Sequence, residues 1–422
     1  MTISRRKFVQ LASTAGLAVA APAVWTQGQA QSRPLRVGAS FSLTGPLSAT
    51  KAGLVGLQIW RDDVNAAGGL LGRQVELVTY DDQSTVAQIP SIYSKLVDID
   101  KVDVLISPYG AVLSAPVMPF IKQRGRFMVG MFALAGNDGV KSDRYFHSAP
   151  WGPDAKVNWA RGFFEIGKAN GCKRIAILNA DVEFAKVSAA GGKAAAKELG
   201  QEVVFEQSYP PNTSDFSAIL RNLRAATPDA VFVCSYPPDS SALVRGLSEV
   251  GVGDSVKLFG GGMVGPQYAA NLQALGPALN GIVNFNLFVP EPTMVTPQVT
   301  SFLERYTAIA VPEKLDPLGF YIPPFYYVAG QLIAQAVKGA GSTDSAAMAA
   351  YLHANPTPTL VGNAQFNEMG DWTERRVLMT QFQGIKGNDI EQFRQPGRQV
   401  ILDPSALKSG DLIQPFMKAR AA

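Results

Sequence analysis

From residue 33 onward, short apolar runs alternate with stretches whose apolar positions recur every three or four residues. Leu35–Phe41 reads as a strand, and Leu54, Leu57, Trp60 and Val64 then recur at helical spacing. Gly68-Gly69 stops that helix, because glycine accepts the left-handed conformation of a C-cap. Gln74–Tyr80 is the next strand. Ile89, Ile92, Leu96 and Ile99 mark a second helix, whose first turns Pro90 is expected to kink. Val102–Ser107 and Phe127–Met131 continue the series. A second run starts at Arg174–Asn179 and continues through Glu202–Phe205, Ala230–Ser235 and Lys257–Gly260, with helical stretches between. Strands alternating with helices predict an α/β fold with parallel sheets covered on both faces.

The rhythm breaks at His147–Asp154, again at Val283–Pro292, and at Pro356–Gly362. A helix returns at Ala329–Gly339, and the tail holds one clear strand, Arg376–Phe382. No short repeat is visible. Two α/β runs with crossings between them predict two domains of like architecture.

The first thirty residues read differently. Ser4-Arg5-Arg6-Lys7-Phe8-Val9-Gln10 resembles a twin-arginine export motif, and Leu11 to Val24 is uncharged and Ala-rich. That stretch is too short and too weakly apolar to span a bilayer, which takes about twenty strongly apolar residues. Gly28-Gln29-Ala30 offers the small residues a signal peptidase needs, so 1–30 is expected to be a signal peptide cut after Ala30. The bland alternative is a basic helix retained in the cytoplasm. Without Arg5, Arg6 and Lys7 the formal charge falls from +4 to +1. So balanced a chain gives no electrostatic case for nucleic acid or an anionic membrane.

At 47% hydrophobic and 17% charged residues, 422 residues can build more than one large core and are not a disordered chain. Cys172 precedes one predicted strand and Cys234 ends another. Side by side in a parallel sheet they would stand about 15 Å apart, whereas a disulfide needs Cα atoms within about 7 Å. Two buried free thiols are therefore expected. With only two histidines, His147 and His353, no metal site is expected, and no cofactor.

Gly260-Gly261-Gly262-Met263-Val264-Gly265 matches a dinucleotide fingerprint as a bare pattern. However, Pro266 sits where a helix should be running, and no acid follows until Glu291. A flexible strand-to-helix turn is the better reading. Asp81-Asp82 could be an acid–base pair, but capping of the following helix is favoured. His147 has no Ser, Cys or acid at a suggestive spacing apart from Asp143, and a polar or crossover-strand role is favoured over catalysis. Tyr109, Phe132, Phe184 and Tyr236 all fall just beyond the carboxyl ends of predicted strands. Ligands bind at that edge of parallel sheets.

Three stretches then point to a family: Leu43-Thr44-Gly45-Pro46, Val64-Asn65-Ala66-Ala67-Gly68-Gly69-Leu70-Leu71-Gly72-Arg73, and Tyr80-Asp81-Asp82-Gln83. With them the chain resembles type I periplasmic solute-binding proteins of the leucine/isoleucine/valine-binding family, which feed ABC importers. The resemblance implies two doubly wound lobes joined by three crossovers, closing on a ligand between them. One lobe would comprise 33–150 with 286–357, the other 151–285 with 358–422. Hinges would lie near His147–Pro150, Val283–Phe288 and Pro356–Gly362. It implies a periplasmic monomer, a small-molecule ligand and a partner permease at the inner membrane.

The family's pocket, carried over by position, falls on Tyr109, Gly110, Phe132, Ala133, Leu134, Phe184, Tyr236, Gly262 and Met263. Amino-acid binders offer hydroxyls in the first loops, where this chain has Tyr109-Gly110-Ala111 and Phe132-Ala133-Leu134. The acid that would meet a ligand ammonium falls in Gly260–Gly262, where there is none. An apolar or aromatic carboxylic acid without an α-ammonium is therefore the expected ligand. A branched-chain amino acid is the alternative. A secreted α/β enzyme using Asp81 or Asp82 with His147 is the rival class, and a sensor module a third.

Overall fold

The computed structural model describes residues 33–421, so the expected signal peptide lies outside the described residues. The first run forms β1 (Leu35–Phe41), α1 (Ala52–Ala66), β2 (Val75–Asp81), α2 (Ile89–Asp98), β3 (Val104–Tyr109), α3 (Gly110–Ser114), α4 (Met118–Gln123), β4 (Met128–Met131) and β5 (Tyr145–His147). The second forms α5 (Ala155–Ala169), β6 (Arg174–Ala180), α6 (Glu183–Glu198), β7 (Glu202–Tyr209), α7 (Ser217–Ala225), β8 (Ala230–Ser235), α8 (Pro237–Val250), β9 (Leu258–Met263), α9 (Ala269–Leu275) and β10 (Val283–Asn286). Then follow α10 (Pro297–Ala310), α11 (Pro323–Ala340), α12 (Ser345–Ala354), β11 (Thr357–Thr359), β12 (Gly362–Ala364), β13 (Leu378–Phe382), β14 (Gln399–Asp403) and α13 (Phe416–Ala421).

The architecture is the expected one: two lobes, each a doubly wound α/β sheet. The first sheet has the order β2-β1-β3-β4-β5 and is parallel throughout. The second has the order β14-β13-β10-β9-β8-β6-β7, parallel from β10 to β7, with β13 and β14 added antiparallel. Central strands β3 and β8 are buried at every position, which is why they read as unbroken apolar runs. Helix α11 packs on α1, so the segment after β10 returns to the first sheet. The chain crosses back between Trp372 and Leu378: Phe366 packs on Phe146 of β5, whereas β13 pairs with β10.

Several local expectations change. Pro90 sits in the first turn of α2, where no N–H is needed and its fixed φ suits the helix, so it starts the helix rather than kinking it. Ile99 lies beyond that helix and is exposed. The Pro356–Gly362 break folds into the β11–β12 hairpin. The tail holds a second strand, β14, whose partner β13 supplies the pairing that its short pattern could not advertise. The Gly-rich segment is not a turn either. Gly260 and Gly261 lie inside β9 with φ of +124° and +94°, conformations that favour glycine. A Cβ on Gly261 would stand 2.4 Å from the Phe232 ring, so the bare backbone lets that ring pack.

Cys172 and Cys234 are buried free thiols. Asn179 pairs with Cys234 across β6 and β8, which puts Cys234 at the opposite end of the sheet from Cys172. Burial pushes the Cys172 thiol up to about 11.

Candidate functional site

The carboxyl ends of the parallel strands in both lobes face one gap. Tyr109 ends β3; Phe132 follows β4; Phe184 lies in the first turn of α6; Tyr236 is the N-cap of α8. Phe132 holds a left-handed φ of +56°, unusual for a bulky residue.

Around these residues runs a closed circuit of rings. Tyr321 lies 5.0 Å from Phe132, Phe132 6.2 Å from Trp151, and Trp151 6.3 Å from Trp159, centroid to centroid. Trp159 lies 4.8 Å from Phe285, which returns to Tyr321 at 6.4 Å. Tyr109 joins through Phe132 at 5.5 Å and through a 3.1 Å hydroxyl–hydroxyl hydrogen bond to Tyr321. Phe184 and Tyr236 extend the wall from Trp159. The circuit draws on both lobes, so the cleft is closed.

These rings enclose a small inner chamber of about 20 Å³, enough for a water-sized group. Outside it, sharing Tyr109 and Tyr236, opens a vestibule of about 640 Å³ between the lobes. Its wall is largely apolar, with Pro46, Leu47, Pro237, Pro238 and Leu315. No Asp, Glu, Lys, Arg or His lines the chamber. Its phenols are neutral near pH 7, since burial pushes Tyr109, Tyr236 and Tyr321 above their ordinary range.

Tyr109, Gly110, Phe132, Phe184 and Tyr236 thus meet in one wall, whereas the other sequence-chosen positions stand behind it. Ala133 and Leu134 are buried in the turn after Phe132. Met263 is fully buried, its backbone N–H and C=O both bonded to the Asn284 amide. A Cβ on Gly262 would lie 2.9 Å from the Val233 carbonyl and 3.3 Å from both Cys234 Sγ and Trp159 Cη2, so the position leaves no room for an acidic side chain. Sequence reading passed over Trp151, Trp159, Val264, Phe285 and Tyr321. Trp151 was visible inside the first break, but Trp159 has the spacing of an ordinary core residue of α5.

Asp239, in the first turn of α8, was also passed over. It lines the vestibule, is buried, and has one carboxylate oxygen without a partner. Burial pushes its carboxyl up, partly offset by backbone hydrogen bonds from Asn212 and Tyr236. The bond to the N-cap residue from the third helical position is half of a capping box.

Asp81 and Asp82 do not cap α2 as expected. Asp82 accepts from the Ser42 hydroxyl at 2.6 Å, the Ser40 hydroxyl at 3.0 Å and the Ser84 N–H at 2.9 Å. Asp81 accepts from Thr44 Oγ1 at 2.7 Å and the Leu43 N–H at 3.0 Å. Both carboxylates fasten the loop after β1 to the end of β2, which is why the Thr44 and Asp82 stretches occur together. His147 is bound to neither: its Nε2 lies 3.3 Å from Asp371.

Comparison with known proteins agrees with this architecture. Residues 34–387 match the family model described as periplasmic binding protein. An amino acid binding protein of Pseudomonas aeruginosa is 25% identical over 356 residues, covering 78% of this chain and 86% of that one. A Leu/Ile/Val-binding protein homolog of Brucella suis is 24% identical over 361 residues, covering 84% and 91%. A solute-binding protein of an ABC transporter from R. palustris, solved with benzoate, superposes with a TM-score of 0.68. It is 18% identical and covers 87% of this chain and 95% of its own, a likeness of fold. With its two lobes, strand-end cleft and matched length, the chain belongs to the periplasmic binding protein family.

Proposed function

We propose that the protein is the extracytoplasmic solute-binding component of an ABC importer and captures a small apolar or aromatic carboxylic acid between its lobes. The observation that carries the ligand class is a chamber walled by aromatic rings from both lobes and lined by no charged side chain. Burying an apolar group of side-chain size against the largely apolar vestibule outside it contributes roughly 1.5–3 kcal/mol. An ammonium in this chamber would lose its hydration without gaining a carboxylate. Binding of this kind requires no cofactor and no covalent chemistry. The closed protein, exported by its twin-arginine segment and acting as a monomer, would then deliver the ligand to a permease at the inner membrane. Benzoate in the R. palustris protein supports the aromatic-acid class.

The second reading is a branched-chain amino acid, named for the Brucella relative. Asp239 favours it, since its unpartnered oxygen in the vestibule wall is the one buried carboxylate there that could meet an ammonium. A thermal-shift screen separates the two. A ligand at about a hundred times its Kd stabilises the fold by roughly 2.7 kcal/mol. Benzoate, phenylacetate or hexanoate should raise the melting temperature, and leucine, isoleucine and valine should not. The reverse pattern overturns the acid reading, and consumption of a bound compound would point to the enzyme class instead.

A further inference from the structure

Two chamber residues carry polar groups without any partner. The indole Nε1 atoms of Trp151 and Trp159 are buried and make no hydrogen bond, and both indoles line the chamber. An indole N–H only donates, and a buried donor left unpaired costs roughly 1–3 kcal/mol. Two such donors on residues that line one cavity mark a place for an acceptor. No carboxylate is in the chamber wall, and the Tyr109 and Tyr321 hydroxyls already pair with each other.

We propose that Trp151 and Trp159 donate their indole N–H groups to an oxygen of the ligand, holding its carboxylate innermost with its apolar body in the vestibule. This inference rests on the carboxylic-acid reading above and adds the orientation and the groups that fix it. The volumes agree, since a water-sized chamber takes an oxygen head and the larger vestibule takes the rest. Charge agrees as well. Phe184 lies in the first turn of α6 and Tyr236 caps α8, so two helix N-termini, the positive ends of their dipoles, border the chamber. Trp151 lies on the first crossing between lobes, so the same contact joins ligand capture to the hinge.

The test is nitrogen-15 NMR of the tryptophan indoles in the full chain, titrated with benzoate and hexanoate, beside calorimetry of Trp151→Phe and Trp159→Phe. Phenylalanine keeps an aromatic ring, though a smaller one, and removes the donor, so the titration of the unaltered protein is read beside it. The N–H resonances of Trp151 and Trp159 should move downfield on saturation, and those of Trp60 and Trp372 should stay. Each substitution should weaken binding of the acid about tenfold to a hundredfold. If an acid binds while both resonances stay and both variants keep wild-type affinity, the donors serve an ordered water and the proposal is overturned, with the acid reading intact. If neither acid binds and leucine does, the acid reading fails and this proposal with it. Should a variant not fold, the titration of the unaltered protein decides alone.

Discussion

Nε2 of His147 lies 3.3 Å from Oδ1 of Asp371, and both side chains are buried. The His147 N–H donates to Gly370 O at 2.9 Å, and Trp372 Nε1 donates to the His147 carbonyl at 2.9 Å. His147 ends β5 at the edge of the first sheet, and Trp372 is tied to it six residues before β13. Two of the three crossings therefore leave the first lobe from one hydrogen-bonded knot.

That knot makes a pH prediction. Burial lowers the His147 imidazole to about 3, so the unfolded chain takes up its proton first and stability falls as pH drops below about 6.5. Burial raises the Asp371 carboxyl to about 6, with Asp138 and Asp154 adding to the shift and Asn367 opposing it. There the folded state takes up the proton first, so stability rises as pH falls from about 6 towards 3.8. The two effects oppose each other in wild type. Asp371→Asn leaves His147 alone and should lose up to about 1.4 kcal/mol per pH unit between pH 6 and 4. Urea unfolding at several pH values reads that slope. A variant slope equal to wild type would mean that the pair does not titrate in this way.

Asp82 makes a stability prediction. Asp82→Ala leaves two buried serine hydroxyls and the Ser84 N–H without their acceptor and should cost about 2–4 kcal/mol. Asp81→Asn, on the exposed side of the same loop, should cost under about 1 kcal/mol. Equal losses in chemical denaturation would show that burial does not separate the two carboxylates.

How far the sequence showed this fold follows from which residues carry local signals. β1 and β8 fall where their apolar runs placed them, since a strand buried in a parallel sheet depends little on distant partners. β14 was missed because its pairing with β13 is a tertiary fact. In the site, Tyr109, Phe132, Phe184 and Tyr236 were legible because strand ends are. Trp159 and Tyr321 were not, because one comes from a helix face and the other from the loop before α11, and only the closed cleft brings them to the same wall.

Export makes a third prediction, on residues outside the described structure. Recognition of paired arginines relies on guanidinium geometry that an ammonium does not reproduce. Replacing Arg5 and Arg6 together by Lys should leave precursor in the cytoplasm. Fractionation and immunoblotting report it, and an undiminished periplasmic pool would exclude the twin-arginine route.

Closure makes the last prediction, and it turns on Tyr321. This first-lobe ring meets two second-lobe rings, Tyr268 at 5.6 Å and Phe285 at 6.4 Å. Each aromatic pair contributes about 0.5–1.5 kcal/mol, so together they favour the closed cleft by about 1–3 kcal/mol before any ligand arrives. Tyr321→Ala removes both contacts and should shift the closed-to-open ratio about fivefold to 150-fold towards open. Small-angle scattering should then give the unliganded variant a larger radius of gyration than wild type. Saturating ligand should bring it back, because binding draws on the closed population. Tyr321→Phe keeps the ring and loses only the hydrogen bond to Tyr109, so it should scatter like wild type. If the alanine variant also scatters like wild type without ligand, the lobes are held by something other than these rings.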